Sequence, residues 1–331
     1  MLAQSSDVVK LLLGLALLLV GGQFLVRGAV GLAARLGVSS LLIGLTIVAW
    51  GTSAPELFLN VSAAMSGKAG LSFGNLVGAN IANLGLILGV GALIRPIAVD
   101  SKIIKTELPI TLAFMALMAA AGFVAFPVGG PSLARLDGVI LLLAFGVYAG
   151  YAVAMGLAER RLDRPLGEDV HAATRHERAM SPGVAIGLVL GGVALLKFGG
   201  DLAVDGAVSI AGRLGVSNDI IGLTIVAFGT TLPELVTVIA AQRKGQADIA
   251  VGNALGSCIF NAGCVFGAVV AISPMPLPDG GGIALIVMVV LALLLFPLST
   301  SFRGWIVRFE GALLLGIYIA FTIFQVWRAG R

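Results

Sequence analysis

The chain has 331 residues, 58% hydrophobic and 11% charged, with a formal net charge of +4 and a mean hydropathy of +1.05. Soluble domains carry roughly a quarter charged residues, so the composition excludes a soluble globular protein and defines a polytopic one built for a lipid bilayer. Nucleic acid is excluded as a partner, because the basic residues are scattered at the ends of apolar runs instead of forming one surface.

About 20 apolar residues are needed to cross a bilayer. Ten runs qualify, at about 8–26, 38–66, 71–94, 106–127, 136–157, 182–204, 216–242, 248–272, 281–299 and 305–327. The expected fold is therefore an all-α polytopic membrane protein with ten transmembrane helices. The first run has the look of a signal peptide, but no small-residue cleavage site follows it. Its flank also recurs: Gly21-Gly22-Gln23 to Gly37-Val38-Ser39 matches Gly199-Gly200-Asp201 to Gly215-Val216-Ser217, so the run is expected to be retained. The 46 glycines lie inside apolar runs, where they favour close helix approach and interrupted helices. Cys258 and Cys264 share one run, which argues against a disulfide framework.

The second and seventh runs carry matching motifs, Gly51-Thr52-Ser53-Ala54-Pro55-Glu56 and Gly229-Thr230-Thr231-Leu232-Pro233-Glu234, 178 residues apart and each preceded by IGLTIVA. Five runs precede the central loop and five follow it. Because five is odd, homologous halves must enter the membrane in opposite directions, as an inverted repeat. The halves are residues 1–158 and 182–331, joined by a charged linker at 159–181. His171 and His176 in that linker read as surface residues, with a metal site as the alternative. With both termini outside, fourteen Lys and Arg fall in inside loops and seven outside, which the positive-inside rule favours.

A proline inside a helix removes a backbone donor and clashes with the preceding turn, so both helices should break at the motif. The break is expected to free the carbonyls of Ala49, Trp50, Gly51 and Thr52, and of Ala227, Phe228, Gly229 and Thr230. Free carbonyls at mid-membrane depth are tolerated where they line a cavity, and they can coordinate cations. Glu56 and Glu234 then open the second half-helices. A membrane carboxylate needs a partner, and no Lys or Arg lies near either motif in the sequence. A transported cation meets that need; a protonated, hydrogen-bonded pair is the alternative.

The third and eighth runs repeat a second element, Gly74-Asn75 to Asn83 and Gly252-Asn253 to Asn261. Asn83 follows Glu56 by 27 residues and Asn261 follows Glu234 by 27, so each is a natural amide neighbour of its carboxylate across a helical hairpin. Hard cations take oxygen ligands, six to eight for Ca2+, and these groups with the freed carbonyls approach that number. Interhelical hydrogen bonding is the other reading of Asn83 and Asn261. Asn75 and Asn253 read as structural.

These residues resemble the cation/Ca2+ exchanger superfamily, in its sodium/calcium exchanger branch, whose two alpha repeats carry G-T-S-x-P-E and G-N-x-x-G-S-N-I-x-N. The resemblance implies a ten-helix antiporter that moves Na+ and Ca2+ in opposite directions by alternating access, with no permanently bound cofactor and no enzymatic activity. It implies Ca2+ binding by Glu56, Glu234 and the carbonyls of Thr52 and Thr230. It further implies flanking Na+ sites at Ala49, Ser53, Ala227, Thr231 and Ser257, and a gate formed by spans one and six. Oligomeric state stays open.

Three positions depart from the family pattern. Ala79 replaces a common Ser, Cys258 replaces a common Asn and reads as packing, and Asn261 stands where potassium-dependent members carry Asp. A proton/Ca2+ exchanger of the same superfamily is the rival reading, although its usual G-N-A-x-E motif is missing. An intramembrane carboxylate protease is a remote one. Gln23 and Asp201 occupy matching positions, with Arg27 and Asp205 one turn later; Asp201 and Asp205 read equally as lining an ion entrance or as solvated or paired near a span end, and Asp219, Asp248, Glu107, Asp137 and Glu310 are expected near helix ends, where charges are cheap.

Overall fold

The computed structural model describes residues 2–67, 69–123, 132–161, 180–213, 227–278 and 280–329. Its helices are α1 (Leu2–Leu36), α2 (Ser40–Thr52), α3 (Ala54–Met65), α4 (Gly70–Ile94), α5 (Ile103–Phe123), α6 (Arg135–Arg161), α7 (Pro182–Arg213), α8 (Ala227–Thr230), α9 (Leu232–Arg243), α10 (Ala247–Ile272), α11 (Gly281–Thr300) and α12 (Arg308–Ala329). Among the described residues, eight helices are long and apolar enough to cross a membrane, and α2 with α3 makes one further span bent by 46°. The expected span at 216–242 is described only from Ala227. Asp219 and most of the 159–181 linker, with His171 and His176, lie outside the described residues.

Glycine sets the helix packing. On α1, Gly14, Gly21 and Gly28 recur every seventh residue, and on α7 Gly192, Gly199 and Gly206 do the same. A Cβ at Gly14 would stand 2.4 Å from the Ala203 nitrogen, and one at Gly28 would stand 2.8 Å from the Ala185 carbonyl oxygen. The two helices therefore run antiparallel with their backbones in contact, which only small residues permit. Arg35 at one end of the pair bonds the Met180 carbonyl, and Arg213 at the other pairs with Asp7.

The most buried spans, α4 and α10, each with 78% of the apolar stretch covered, form the centre. A Cβ at Gly252 on α10 would stand 2.8 Å from the Leu41 oxygen on α2. Gly89 on α4 meets the Gly311 carbonyl on α12, and Gly138 on α6 meets the Gly267 carbonyl on α10. Two short antiparallel ribbons tie the loops, β1 (Ile97–Ala98) with β4 (Trp305–Ile306) and β2 (Ser132–Leu133) with β3 (Met275–Pro276). Since β1 precedes α5 and β2 follows it, the ribbons lie at opposite ends of the bundle.

Two acids expected at cheap, solvated helix ends are instead buried. Glu310 accepts from the Val307 nitrogen and the Ser301 hydroxyl at the start of α12. Glu107, fully buried in the first turns of α5, has no hydrogen-bond partner on either carboxylate oxygen among the described residues. Both helices begin beneath packed loops, so proximity to a helix end does not bring water.

Candidate cation site

Pro55 and Pro233 act as expected. Ser53 (φ −89°, ψ 5°) separates α2 from α3, and Thr231 (φ −94°, ψ 0°) separates α8 from α9, with the proline in the first turn of the new helix each time. Lacking an N–H, Pro55 cannot serve the Gly51 carbonyl, nor Pro233 that of Gly229. Two other carbonyls expected to be free are engaged. The Ala49 carbonyl accepts from the Ser53 nitrogen at 3.0 Å and from Thr52 Oγ1 at 3.2 Å. The Phe228 carbonyl accepts from the Thr231 nitrogen at 3.1 Å and from Thr231 Oγ1 at 2.9 Å. The half-turn after the break lets the next backbone N–H fold back, and the local hydroxyl adds to it.

The breaks put Glu56 and Glu234 in the interior, 1% and 2% exposed. Hydroxyls of one motif reach groups that belong to the other. Ser53 Oγ donates to Glu234 Oε1 at 2.8 Å and lies 2.9 Å from Ser257 Oγ. Thr52 Oγ1 lies 3.2 Å from Asn253 Oδ1, whose amide nitrogen is 3.4 Å from the Glu234 carbonyl. Asn75 donates to Thr230 Oγ1 at 3.4 Å. Ala227 is the first described residue of the second motif.

Asn83 and Asn261 each lie in a π-helical turn, Ala82–Ile87 and Phe260–Val265. Such turns widen the helix locally and concentrate at functional sites. Among the described residues, five buried oxygens of the two duplicated elements, Glu56 Oε2, Glu234 Oε2, Asn80 Oδ1, Asn83 Oδ1 and Asn261 Oδ1, have no hydrogen-bond donor. Buried polar groups are nearly always paired, so this many orphaned acceptors in the two duplicated elements marks a candidate site for a cation. Each is an oxygen and none is a donor, which is the chemistry a hard cation requires.

Sequence reasoning missed Asn60. Its amide nitrogen donates to the Glu56 carbonyl at 2.7 Å and lies 2.9 Å from Asn75 Oδ1, while its own carbonyl accepts from Ser72. The available signal was a lone amide one helical turn after Glu56 in an apolar run. Asn75 and Asn253, read as structural, are the links between the motifs. Cys258 is buried with Sγ 3.8 Å from the Asn80 carbonyl, and both cysteines are free. A basic residue absent from the motifs in sequence is carried near them in space: α7, which bears Lys197, packs against Gly51 and Gly229 through Val193 and Val204.

A helical membrane bundle with an all-oxygen site at two broken helices defines an ion transporter. A model of the family described as "Sodium/calcium exchanger protein" matches residues 6–154 and 184–327, and the chain belongs to that family. It is a multi-pass membrane antiporter of the cation/Ca2+ class and not an enzyme. The "Sodium/calcium exchanger MaX1" of Methanosarcina acetivorans is 32% identical over 345 residues, spanning 95% of this chain and 96% of that one. The inner membrane protein YrbG of Escherichia coli is 33% identical over 327 residues, 96% of each chain. A solved structure of the sodium-calcium exchanger NCX_Mj superposes with a TM-score of 0.80 at 32% identity, covering 96% of this chain and 98% of that one.

Proposed function

We propose that the protein exchanges Na+ for Ca2+ by alternating access, with Glu56 and Glu234 shared between the two ions so that their binding is mutually exclusive. The observation that carries this reading is that, among the described residues, both motif glutamates and the amides Asn83 and Asn261 each keep a buried oxygen without a donor. Ca2+ binds between the glutamates, with Asn83, Asn261 and the carbonyls of Thr52 and Thr230 around it. Na+ occupies flanking positions near Ala49, Ser53 and Ser257, and near Ala227 and Thr231. With amides at both Asn83 and Asn261, no third carboxylate is available for a K+-coupled cycle.

We further read the chain as ten spans in two inverted five-helix repeats, 1–158 and 182–331, with a linker at 159–181 inside and both termini outside. Several pairings support the reading: β3 follows β1 by 178 residues, and each pairs with a strand of the other half. The Gly89 to Gly311 contact has its counterpart in Gly267 to Gly138, and Arg213 repeats the position of Arg35. The unit that α1 and α7 form is the natural gate, since it packs over both motifs.

The test is Ca2+ uptake into proteoliposomes of purified protein under an outward Na+ gradient, against a pH gradient and with K+ present or absent. Uptake driven by Na+ and indifferent to K+ is expected. Uptake driven equally by protons would replace the Na+ reading with the proton/Ca2+ one.

A further inference from the structure

Helix α7 lies across both broken helices. A Cβ at Gly51 would stand 3.0 Å from Val193 Cγ2, and one at Gly229 would stand 2.1 Å from Val204 Cγ2. At about 100° per residue, Lys197 projects within about 40° of both valines, at the edge of the stripe that faces the motifs. Gly200 lies on the same stripe, and among the described residues nothing stands within 4 Å of where its Cβ would be. The face between the two valines is therefore open.

Lys197 Nζ bonds Asp201 Oδ2 at 2.7 Å, with the side chains 45% and 60% exposed. The pair sits halfway along the span Pro182–Ile210. Charges at that depth face a water-filled cavity or the bundle interior, not lipid. An exposed ion pair on the helix that packs against both motifs is placed to line an approach to the site. Asp205, one turn further along and also exposed, continues it.

We propose that Lys197 is a tethered competitor for the cation site: its ammonium moves between Asp201 and Glu56, and a cation entering the site displaces it onto Asp201. Asp201 is thus the resting partner that makes room for the transported ion. The inference rests on the exchanger reading of the same site. It deepens that reading by naming a residue that tunes selectivity, because Coulomb repulsion scales with ion charge. Displacing the ammonium costs each entering ion the same factor, and repulsion from the displaced ammonium adds more for Ca2+ than for Na+.

The test measures equilibrium binding of radiolabelled Ca2+ and the Na+ dependence of exchange on purified, reconstituted variants. Lys197→Met should tighten Ca2+ by roughly tenfold and each Na+ by about threefold, while Lys197→Arg should stay near wild type. Asp201→Asn, which keeps the lysine and removes its resting partner, should weaken both ions. The double variant should match Lys197→Met, since Asp201 has nothing to hold once the lysine is gone. Unchanged or weaker Ca2+ binding in Lys197→Met overturns the proposal, and so does an unchanged Asp201→Asn, which serves as the independent arm should Lys197→Met fail to fold. If wild-type protein exchanges Na+ for Ca2+ while these affinities do not move, only this inference falls. Absence of wild-type exchange removes the underlying reading.

Discussion

The two motifs share a backbone and differ in their hydrogen bonds. Ser53 and Thr231 have nearly the same φ and ψ, yet Ser53 donates to Glu234 and touches Ser257, whereas Thr231 folds back onto the Phe228 carbonyl. The cause is visible at the position matching Ser257, where Ala79 has no hydroxyl to offer. Asn60 adds a second inequality: it holds the Glu56 carbonyl, while its counterpart Val238 has no amide and the Glu234 carbonyl is reached by Asn253 instead. Duplication copies the fold of the site, and single side chains then make its halves chemically distinct.

The largest expected effect tests whether the halves remain equal where it counts most. Glu56→Gln or Glu234→Gln removes about 3 kcal/mol or more of attraction for a divalent ion at an effective dielectric near 20. Each should therefore abolish Ca2+ exchange in proteoliposomes. Full activity in either variant would remove that carboxylate from the mechanism.

Next comes the amide on one side only. Asn60→Leu removes the side-chain bond to the Glu56 carbonyl and strands the Asn75 amide oxygen, a loss of about 1–3 kcal/mol. A lower unfolding temperature and weaker Ca2+ binding are both expected, and Val238→Asn should not mirror them. A variant with wild-type stability and affinity would show that Asn60 holds nothing.

The hydroxyls separate the halves more finely. One hydrogen bond contributes about 1 kcal/mol, so Ser53→Ala should weaken Na+ activation roughly fivefold, while Thr231→Val, which loses only a bond to its own backbone, should do less. Equal effects on the Na+ activation curve would mean that the two hydroxyls serve alike. The smallest expected change is Ala79→Ser, which supplies the missing hydroxyl: the Na+ Hill slope should rise with Ca2+ affinity nearly unchanged. An unaltered Na+ curve would leave the asymmetry without functional weight.

Much of this was legible in the residue order. The bilayer, the duplicated motifs, the breaks at Pro55 and Pro233 and the candidate site residues Glu56, Glu234, Asn83 and Asn261 follow from composition, spacing and the chemistry of proline. The π-helical turns that hold Asn83 and Asn261 left no such trace, because an extra residue in a turn is accommodated by what packs against it. The engagement of the Ala49 and Phe228 carbonyls was equally hidden, since it depends on the dihedral angles of the half-turn that follows.

Proline at a given place lacks an N–H whatever surrounds it, and a 178-residue offset is a property of the chain itself, so the sequence alone determined where the helices break and which residues are partners by repeat. Tertiary structure decided how those partners differ in use. Ser53 reaches Glu234, Val193 and Val204 lie against the motif glycines and Glu107 is buried because helices distant in the chain pack at particular rotations, set in part by glycines that let α1 meet α7 and α2 meet α10. Such contacts depend on distances between backbones, which no local pattern encodes.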